Sequence, residues 1–258
     1  MGLMDGKKGI IFGIANEKSI AYACAKIAKK QGAKVAVTYL MPPDKYEKYL
    51  KSYVDKAGFD ICMNCDATKN EDIDNVFKTI KEKFGNIDFL VHSMAFAKGD
   101  ELGKIPFSHT SLEGYQLALN VSAYTFISLA KRGAELMTNG GSMTTMTYYG
   151  SEKVIPNYDI MGVAKASLEA ITRYLAADLG KKNIRVNAIS PGPIMTRAAS
   201  GISDFDVLLK AACEKAPLKR GVTIEEVGNF NLFLCSDLGT GITGQTIYVD
   251  AGISIIGI

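Results

Sequence analysis

Residues 8–32 read KGIIFGIANEKSIAYACAKIAKKQG, and this stretch decides the fold class. Its opening residues, KGIIFG, are apolar without alternation, which is typical of a parallel strand covered by helices on both faces. A turn follows, and residues 19–31 then have the pattern of a helix that ends at Gly32. A buried strand followed by a helix predicts the first half of a βαβ unit.

The same alternation continues along the chain without a repeat, a low-complexity tract or a linker. Further strands are predicted at 34–40, 59–64, 88–92, 141–147, 185–189 and 245–250, and long helices at 110–137 and 158–180. Thr68, Thr110 and Thr223 are predicted N-caps, because each has a glutamate three positions later. We therefore expect an α/β fold: one Rossmann-type, doubly wound domain over residues 1–258, with a seven-stranded parallel sheet and helices on both faces.

Composition excludes several classes of protein. The 258 residues carry 30 Lys and Arg against 27 Asp and Glu, and a net charge of +3 is too weak to indicate a nucleic-acid surface. The two histidines, His92 and His109, lack the spacing of a zinc site, so no metal is expected. The five cysteines indicate reduced thiols in a cytoplasmic protein, and no apolar run is long enough to predict a membrane span.

The turn after the first strand is a candidate phosphate site. It leads into the start of a helix, where unpaired N–H groups and partial positive charge favour a pyrophosphate. Gly13 permits a tight turn, and Ala21 is small enough for close approach. The segment is not the G-x-G-x-x-G fingerprint, and Ser19 as a plain N-cap is the competing interpretation.

A second candidate site combines Tyr148, Tyr158 and Lys165. Tyr158 and Lys165 are seven positions apart, so a helix places both on one face. Because a lysine charge favours a nearby phenolate, we expect Lys165 to lower the pKa of Tyr158 and make it a proton donor near neutral pH. A packed tyrosine with a solvated lysine is the alternative.

Several motifs together resemble a known family. They are Tyr158-x6-Lys165, the G-x5-S-x-A turn at 13–21, SPGPI at 190–194, TGQ at 243–245 and DAG at 250–252. Over essentially the whole chain these motifs resemble the enoyl-acyl-carrier-protein reductases, the bacterial fatty-acid-synthesis branch of the short-chain dehydrogenase/reductases. The block YYGSEKVIPNYDIMGVAK at 148–165 is the most specific part, because most of that superfamily has Tyr-x3-Lys with an upstream serine.

The resemblance implies an NADH-dependent oxidoreductase that reduces the trans-2 double bond of enoyl-acyl-carrier-protein thioesters, the last reductive step of type II fatty acid elongation. It implies that Tyr158 bonds the thioester carbonyl oxygen, that Lys165 holds the nicotinamide ribose, and that Tyr148 lines the acyl pocket and assists. The implied cofactor-binding residues are Gly13, Ala15, Ser19, Ile20, Leu40, Asp66, Ala67, Ser93, Met94, Ala95, Lys165, Ile194 and Thr196. Asp66 would bond the adenine, with a plain cap before a helix as its competing interpretation.

The substrate side of the site is implied in the same way. The residues are Phe96, Ala97, Tyr148, Tyr158, Met161, Ala198, Ile202 and Phe205. Residues 194–220 resemble the family's substrate-binding loop and helix, and the expected assembly is a homotetramer. After the second strand the sequence has Leu40 at the place where an acid would hold the ribose 2′-hydroxyl of NADH. It also lacks an arginine there that would bind the 2′-phosphate of NADPH. We favour NADH over NADPH.

Two other function classes stay open at this point. A carbonyl reductase or alcohol dehydrogenase of the same superfamily is disfavoured by the longer Tyr–Lys spacing and by the lack of a clear upstream serine. A dinucleotide-sensing regulator that retains the fold is disfavoured by the intact Tyr158 and Lys165 pair.

Overall fold

The computed structural model describes residues 2–197 and 199–257. The strands are β1 (Lys8–Ile14), β2 (Lys34–Tyr39), β3 (Ile61–Asn64), β4 (Phe89–His92), β5 (Gly141–Met146), β6 (Ile184–Pro191) and β7 (Thr246–Val249). The α-helices are α1 (Ile20–Lys30), α2 (Pro43–Tyr49), α3 (Lys51–Ala57), α4 (Asn70–Phe84), α5 (Leu112–Leu119), α6 (Thr125–Leu136), α7 (Asp159–Leu179), α8 (Phe205–Lys215) and α9 (Ile224–Cys235). Within the described residues, none of these helices has the length and apolar character needed to cross a membrane.

The seven strands form one parallel sheet in the order β3-β2-β1-β4-β5-β6-β7. The predicted doubly wound, seven-stranded fold is therefore confirmed. From β1 the chain moves outward to β3, and it then returns to build the other half of the sheet from β4. The loops that follow β1 and β4 leave in opposite directions, which opens a crevice at the carboxyl ends of these strands.

Helices cover both faces of the sheet, as the apolar runs in the sequence require. On β1, Ile10 and Phe12 belong to a core cluster with residues of α4, α6 and α7. Ile11 and Ile14 point to the other face, where they join residues of α1 and α9. Because burial of one such side chain contributes about 1.5–3 kcal/mol, a central strand packed on both faces is held firmly in place.

The structure confirms the predicted N-cap at Thr223 and contradicts the one at Thr68. Thr223 is confirmed: its hydroxyl accepts from the amide of Glu226 at 3.1 Å, and the Glu226 carboxylate accepts from the amide of Thr223 at 2.9 Å. Thr68 as a cap is wrong, since α4 begins after Lys69. The Thr68 hydroxyl donates instead to the charged Asp66 Oδ1 at 2.7 Å, within the turn before the helix.

The cap at Thr110 is also wrong, by one residue. Ser111 is the N-cap of α5, and its hydroxyl accepts from the amide of Gly114 at 2.9 Å. The single long helix predicted from there is interrupted by a π-helical turn at Asn120–Tyr124, which separates α5 from α6. Such a turn contains an extra residue, so it rotates the apolar face of the second helix relative to the first.

A buried histidine joins β4 to β5 and α6. His92 Nδ1 lies 2.8 Å from Thr145 Oγ1, and Nε2 lies 2.9 Å from Thr125 Oγ1. The Thr125 hydroxyl donates its hydrogen to the carbonyl of Val121 at 2.7 Å, so Nε2 must be the nitrogen that donates. Burial, together with the charge of Lys165, lowers the pKa of His92 to about 3. The ring is therefore neutral in the folded protein.

We predict that His92 makes the folded state sensitive to acid. The unfolded chain protonates histidine near pH 6.5, whereas the folded chain resists until about pH 3, so stability is lost as the pH falls below about 6.5. In urea titrations this group should lower the free energy of unfolding by about 2 kcal/mol between about pH 7.5 and pH 5. His92→Gln should lose this part of the pH dependence, and the exposed His109→Gln should keep it. Equal pH dependence in His92→Gln and the wild type would contradict the prediction.

Candidate active site

The loops after β1 and β4 touch at the crevice. Gly13 has a φ of 102°, and a Cβ on it would lie 2.3 Å from the carbonyl oxygen of Ser93. Only glycine permits both this conformation and this approach. The amide of Ser93 donates to the carbonyl of Phe12 at 3.1 Å. Two predicted cofactor residues from opposite halves of the sheet therefore come together.

The start of α1 presents unpaired donors beside this contact. No hydrogen bond among the described residues uses the amides of Ile20 and Ala21. Ser19 is the N-cap by position, but its hydroxyl donates to the carbonyl of Asn16 at 2.5 Å and makes no cap bond. At the carboxyl end of β6, the buried hydroxyl of Ser190 has no hydrogen-bond partner within residues 2–197 and 199–257. Free donors beside a glycine-lined approach fit the phosphates of a dinucleotide.

The residues predicted on the adenine side follow β2 and β3. Leu40 is 64% exposed, and Ala67 is buried. Asp66 Oδ1 accepts from the amide of Thr68 at 3.0 Å and from its hydroxyl at 2.7 Å. Burial opposes the charged form of Asp66, but these bonds and the Lys69 ammonium hold its pKa below the usual range. Asp66 is therefore charged, and its two hydrogen bonds lie within the turn before α4, so it does not cap that helix, whose N-cap is Lys69.

The structure brings the three predicted catalytic residues together. The rings of Tyr148 and Tyr158 meet edge to face, with centroids 4.9 Å apart and an interplanar angle of 71°. Lys165 is buried, and its ammonium donates to the carbonyl of Met146 at 2.7 Å. Met146 is the last residue of β5, so Lys165 holds the main chain that leads into Tyr148.

Tyr158 is the N-cap of α7, as expected for a helix predicted to start at about this residue, and its backbone neighbours are unusual. Its neighbours Asn157 and Asp159 have φ angles of 63° and 37°, in the left-handed region that asparagine and aspartate tolerate best. The Asn157 amide donates to the carbonyl of Ser203 at 2.8 Å, and Asp159 accepts from the amide of Gly103 at 2.7 Å. These bonds hold the strained backbone on both sides of Tyr158, and so they fix the position of Tyr158 between them.

The expectation that Lys165 lowers the pKa of Tyr158 is wrong. Burial raises the pKa of Tyr158 above its usual range, and the neighbouring Tyr148 raises it further. The reason is geometric, because the Lys165 ammonium donates to the Met146 carbonyl. Burial also raises the pKa of Tyr148 to about 12. Both phenols therefore keep their protons at neutral pH and act as hydrogen-bond donors.

Most of the predicted substrate residues lie in one apolar cluster. It contains Ala97, Tyr148, Tyr158, Met161 and Ile202, together with Ala95, Leu102, Ala118, Leu119, Ile155 and Ile160. Two predicted residues are outside it: Phe96 is 53% exposed, and Phe205 is buried at the start of α8. Ala198 lies outside the described residues. The cluster has the apolar character that an acyl chain requires.

The sequence also matches the family described as enoyl-(acyl carrier protein) reductase, over residues 13–254. This chain belongs to the enoyl-(acyl carrier protein) reductase family.

Relatives of this reductase chain match along nearly their whole length. It is 50% identical over 256 residues to enoyl-[acyl-carrier-protein] reductase [NADH] FabI of Rickettsia prowazekii (strain Madrid E), covering 99% of this chain and 97% of that protein. The enoyl-(acyl-carrier-protein) reductase of Anaplasma phagocytophilum, solved in complex with NAD, has a TM-score of 0.94 and 46% identity, with 100% and 97% coverage. The Bacillus cereus reductase, solved with NADP⁺ and an indole naphthyridinone, has a TM-score of 0.95 and 43% identity, with both chains fully covered.

The remaining cofactor positions predicted for this reductase chain lie along the same edge of the sheet. Ala15 is half-buried in the turn before α1, and Met94 lies close to Gly13. Ile194 packs against the core cluster that contains β1 and α1. The Thr196 hydroxyl accepts from the amide of Ala199 at 3.2 Å, so it stabilises the start of the 199–201 turn.

Two polar residues of this reductase chain were not predicted from the sequence. Ser122, in the π-helical turn, accepts from the amide of Phe96 at 3.0 Å and so holds the loop after β4. Glu169 accepts from the hydroxyls of Thr147 and Ser151 beside Tyr148. Glu169 could have been found from its place one helical turn after Lys165. Among the described residues, no three His, Cys, Asp or Glu side chains are grouped to hold a metal ion.

Proposed function

We propose that this chain reduces the trans-2 double bond of enoyl-acyl-carrier-protein thioesters with NADH, the last reductive step of fatty acid elongation. The observation that carries the proposal is the unpaired phenol of Tyr158. Tyr158 is buried in the apolar cluster, yet its hydroxyl, like that of its neighbour Tyr148, has no hydrogen-bond partner among the described residues. A protonated donor held in place with no protein acceptor is suited to a substrate oxygen.

The phenol acts where charge develops on the substrate. NADH, when bound, supplies the hydride that reaches the β-carbon of the thioester. As the electrons of the double bond move toward the carbonyl oxygen, Tyr158 donates a hydrogen bond to that oxygen, a contribution of about 3–4 kcal/mol for one such donor. The enolate then takes a proton from water at the α-carbon, which completes the reduction. Tyr148, packed edge to face against it, keeps the Tyr158 ring in place and lines the acyl side.

Lys165 serves the cofactor rather than the phenol. Burial lowers the pKa of Lys165 to about 8, while the Glu169 carboxylate acts in the opposite direction, so the ammonium is charged at neutral pH. It would hold the ribose hydroxyls of NADH. Leu40 after β2 is followed by Met41 and Pro42, which offer no positive charge for the extra phosphate of NADPH.

Residues 194–220 are proposed to form the substrate-binding loop and helix of one catalytic domain that spans 1–258. The hydrogen bond from Asn157 to the carbonyl of Ser203 supports this role, because it ties the loop to the residue before Tyr158. The cytoplasmic location expected from the reduced thiols stays a prediction.

The activity is tested by following NADH absorbance with two thioesters. We expect turnover with a crotonyl thioester and none with a 3-ketoacyl thioester, because the chain belongs to the enoyl reductase family and has Tyr158-x6-Lys165 in place of the Tyr-x3-Lys of most of the superfamily. Turnover of the 3-ketoacyl thioester alone would indicate a carbonyl reductase. Binding of NADH without turnover of either thioester would indicate a dinucleotide sensor.

Variants at Tyr158 and Lys165 separate reduction from cofactor binding. Tyr158→Phe should lower kcat with crotonyl thioester by about 10²–10³-fold and keep the Kd for NADH, measured by fluorescence. Lys165→Met should lose most NADH affinity. In the wild type this affinity should fall as the pH rises through about 8, because the ammonium then loses its proton. Normal NADH binding by Lys165→Met would refute the role of Lys165.

We also propose that the chain assembles as a homotetramer through the exposed side of α5, α6 and α7. A groove of about 420 Å³ there is lined by Leu119, Asn120, Ala123, Tyr124, Ile127, Ser167 and Ile171. Tyr124 and Ile127 are exposed apolar side chains on this surface. Exposed apolar patches of this kind are typical of protein interfaces.

Light scattering tests the assembly. The wild type should have the mass of four chains, and Ile127→Arg should have a smaller mass, because it places a charge in the proposed contact. Leu238→Arg, at an exposed leucine in the turn after α9, is the matched control and should keep the wild-type mass. A single-chain mass for the wild type would refute the tetramer, and a four-chain mass for Ile127→Arg would refute this contact surface.

A further inference from the structure

Glu169 is a buried carboxylate that the proposed mechanism does not use. It lies on α7, one turn after Lys165, and is 7% exposed. Its Oε1 accepts from the Thr147 hydroxyl at 2.6 Å and from the Ser151 hydroxyl at 2.6 Å. A buried charge costs several kcal/mol unless it is paired and hydrogen-bonded, so these two short bonds stabilise the carboxylate in place.

The two hydroxyl donors flank Tyr148. Thr147 directly precedes it, and Ser151 closes the short turn that follows it. The Lys165 ammonium adds a third attachment, at the carbonyl of Met146. Two charged side chains of α7 therefore hold the main chain on both sides of Tyr148.

The same turn also contacts Tyr158. A Cβ on Gly150 would lie 2.5 Å from Tyr158 Cδ1 and 3.4 Å from Tyr148 Cδ1, so the main chain at Gly150 lies against both rings. Gly150 stands between Tyr148 and Ser151, inside the segment that Glu169 holds. If this segment moved, the main chain that packs against the rings of Tyr148 and Tyr158 would move with it.

Glu169 and Lys165 carry opposite charges and lie one turn apart on α7. The carboxylate favours the charged form of Lys165, against the effect of burial. His92 on β4 is within electrostatic reach of Lys165, but burial keeps it neutral by lowering its pKa to about 3. Tyr248 on β7 is close enough to be affected by Glu169, and burial raises the pKa of its phenol, so it too is neutral. Tyr148 and Tyr158 are neutral for the same reason.

We propose that Glu169 is a positioning residue: it clamps the 147–151 segment beneath Tyr148 and Tyr158, and it keeps Lys165 charged for the cofactor. This inference rests on the proposed function. The two effects can be separated, because glutamine retains an oxygen that accepts both hydroxyl hydrogens but carries no charge.

The charge effect is tested by the pH dependence of NADH binding. In Glu169→Gln, the pH at which half of the NADH affinity is lost should fall by about one unit relative to the wild type, because Lys165 loses its nearby negative charge. Glu152→Gln is the matched control, since Glu152 is an exposed carboxylate that accepts from the Tyr248 hydroxyl at 2.6 Å. It should keep the wild-type profile. A wild-type profile in Glu169→Gln would overturn this effect.

The clamp is tested by Ser151→Ala, which removes one of the two hydroxyls that donate to Glu169, at a half-buried position. This variant also tests the clamp if Glu169→Gln fails to fold. Its kcat with crotonyl thioester should fall several-fold while its Kd for NADH stays unchanged. Ser52→Ala, at an exposed serine of α3, is the control and should match the wild type. An unchanged kcat in Ser151→Ala would overturn the clamp. Failure of the wild type itself to reduce crotonyl thioester would instead refute the proposed function, and the NADH profiles would still test Glu169.

Discussion

The parallel pairing of β1 with β4 is the constraint on which the site depends. Their register, from Gly9 opposite Phe89 to Phe12 opposite His92, places the end of β4 beside Phe12 and therefore brings the residue after β4 next to Gly13. Both strands are buried, so neither end can shift without disturbing the core. The contact between Gly13 and Ser93 follows directly from this register, and it forms the base of the crevice. The phosphate-binding side of the site is thus a consequence of sheet topology.

The fold could be predicted because its signals are local. Runs such as KGIIFG are apolar on both faces, and the capping box at Thr223 is complete within four residues. The failures are local too, where neighbouring residues offer alternative hydrogen-bond partners. The Thr68 hydroxyl donates to the Asp66 carboxylate and does not cap α4, and Ser111 instead of Thr110 caps α5. The π-helical turn could not be predicted from a local sequence pattern, because it depends on packing between elements that are distant in sequence.

The candidate site could be predicted from the sequence only in part. The residue types were predictable from their motif, and the structure does bring Tyr148, Tyr158 and Lys165 together. Their electrostatics were not predictable, because the partner of the Lys165 ammonium is a backbone carbonyl at the end of β5, which has no side-chain signature. Glu169 was missed for a similar reason, since its hydroxyl partners lie 18 and 22 positions away in sequence. Helix spacing indicates which residues share a face, but it does not determine where a flexible side chain points.

The neutral phenol of Tyr158 and the charged ammonium of Lys165 each suit the proposed reaction. A phenolate at Tyr158 would repel the oxygen on which negative charge develops, so burial that keeps the phenol protonated supports the reaction. The same burial acts against the Lys165 ammonium, which the cofactor needs charged. A carboxylate one helical turn away offsets that loss, whereas a second cation would increase it, and burial keeps the nearby His92 ring neutral. In one low-dielectric environment the phenol keeps its proton because it is buried, and the lysine keeps its charge with the support of the Glu169 carboxylate while its ammonium donates to the Met146 carbonyl.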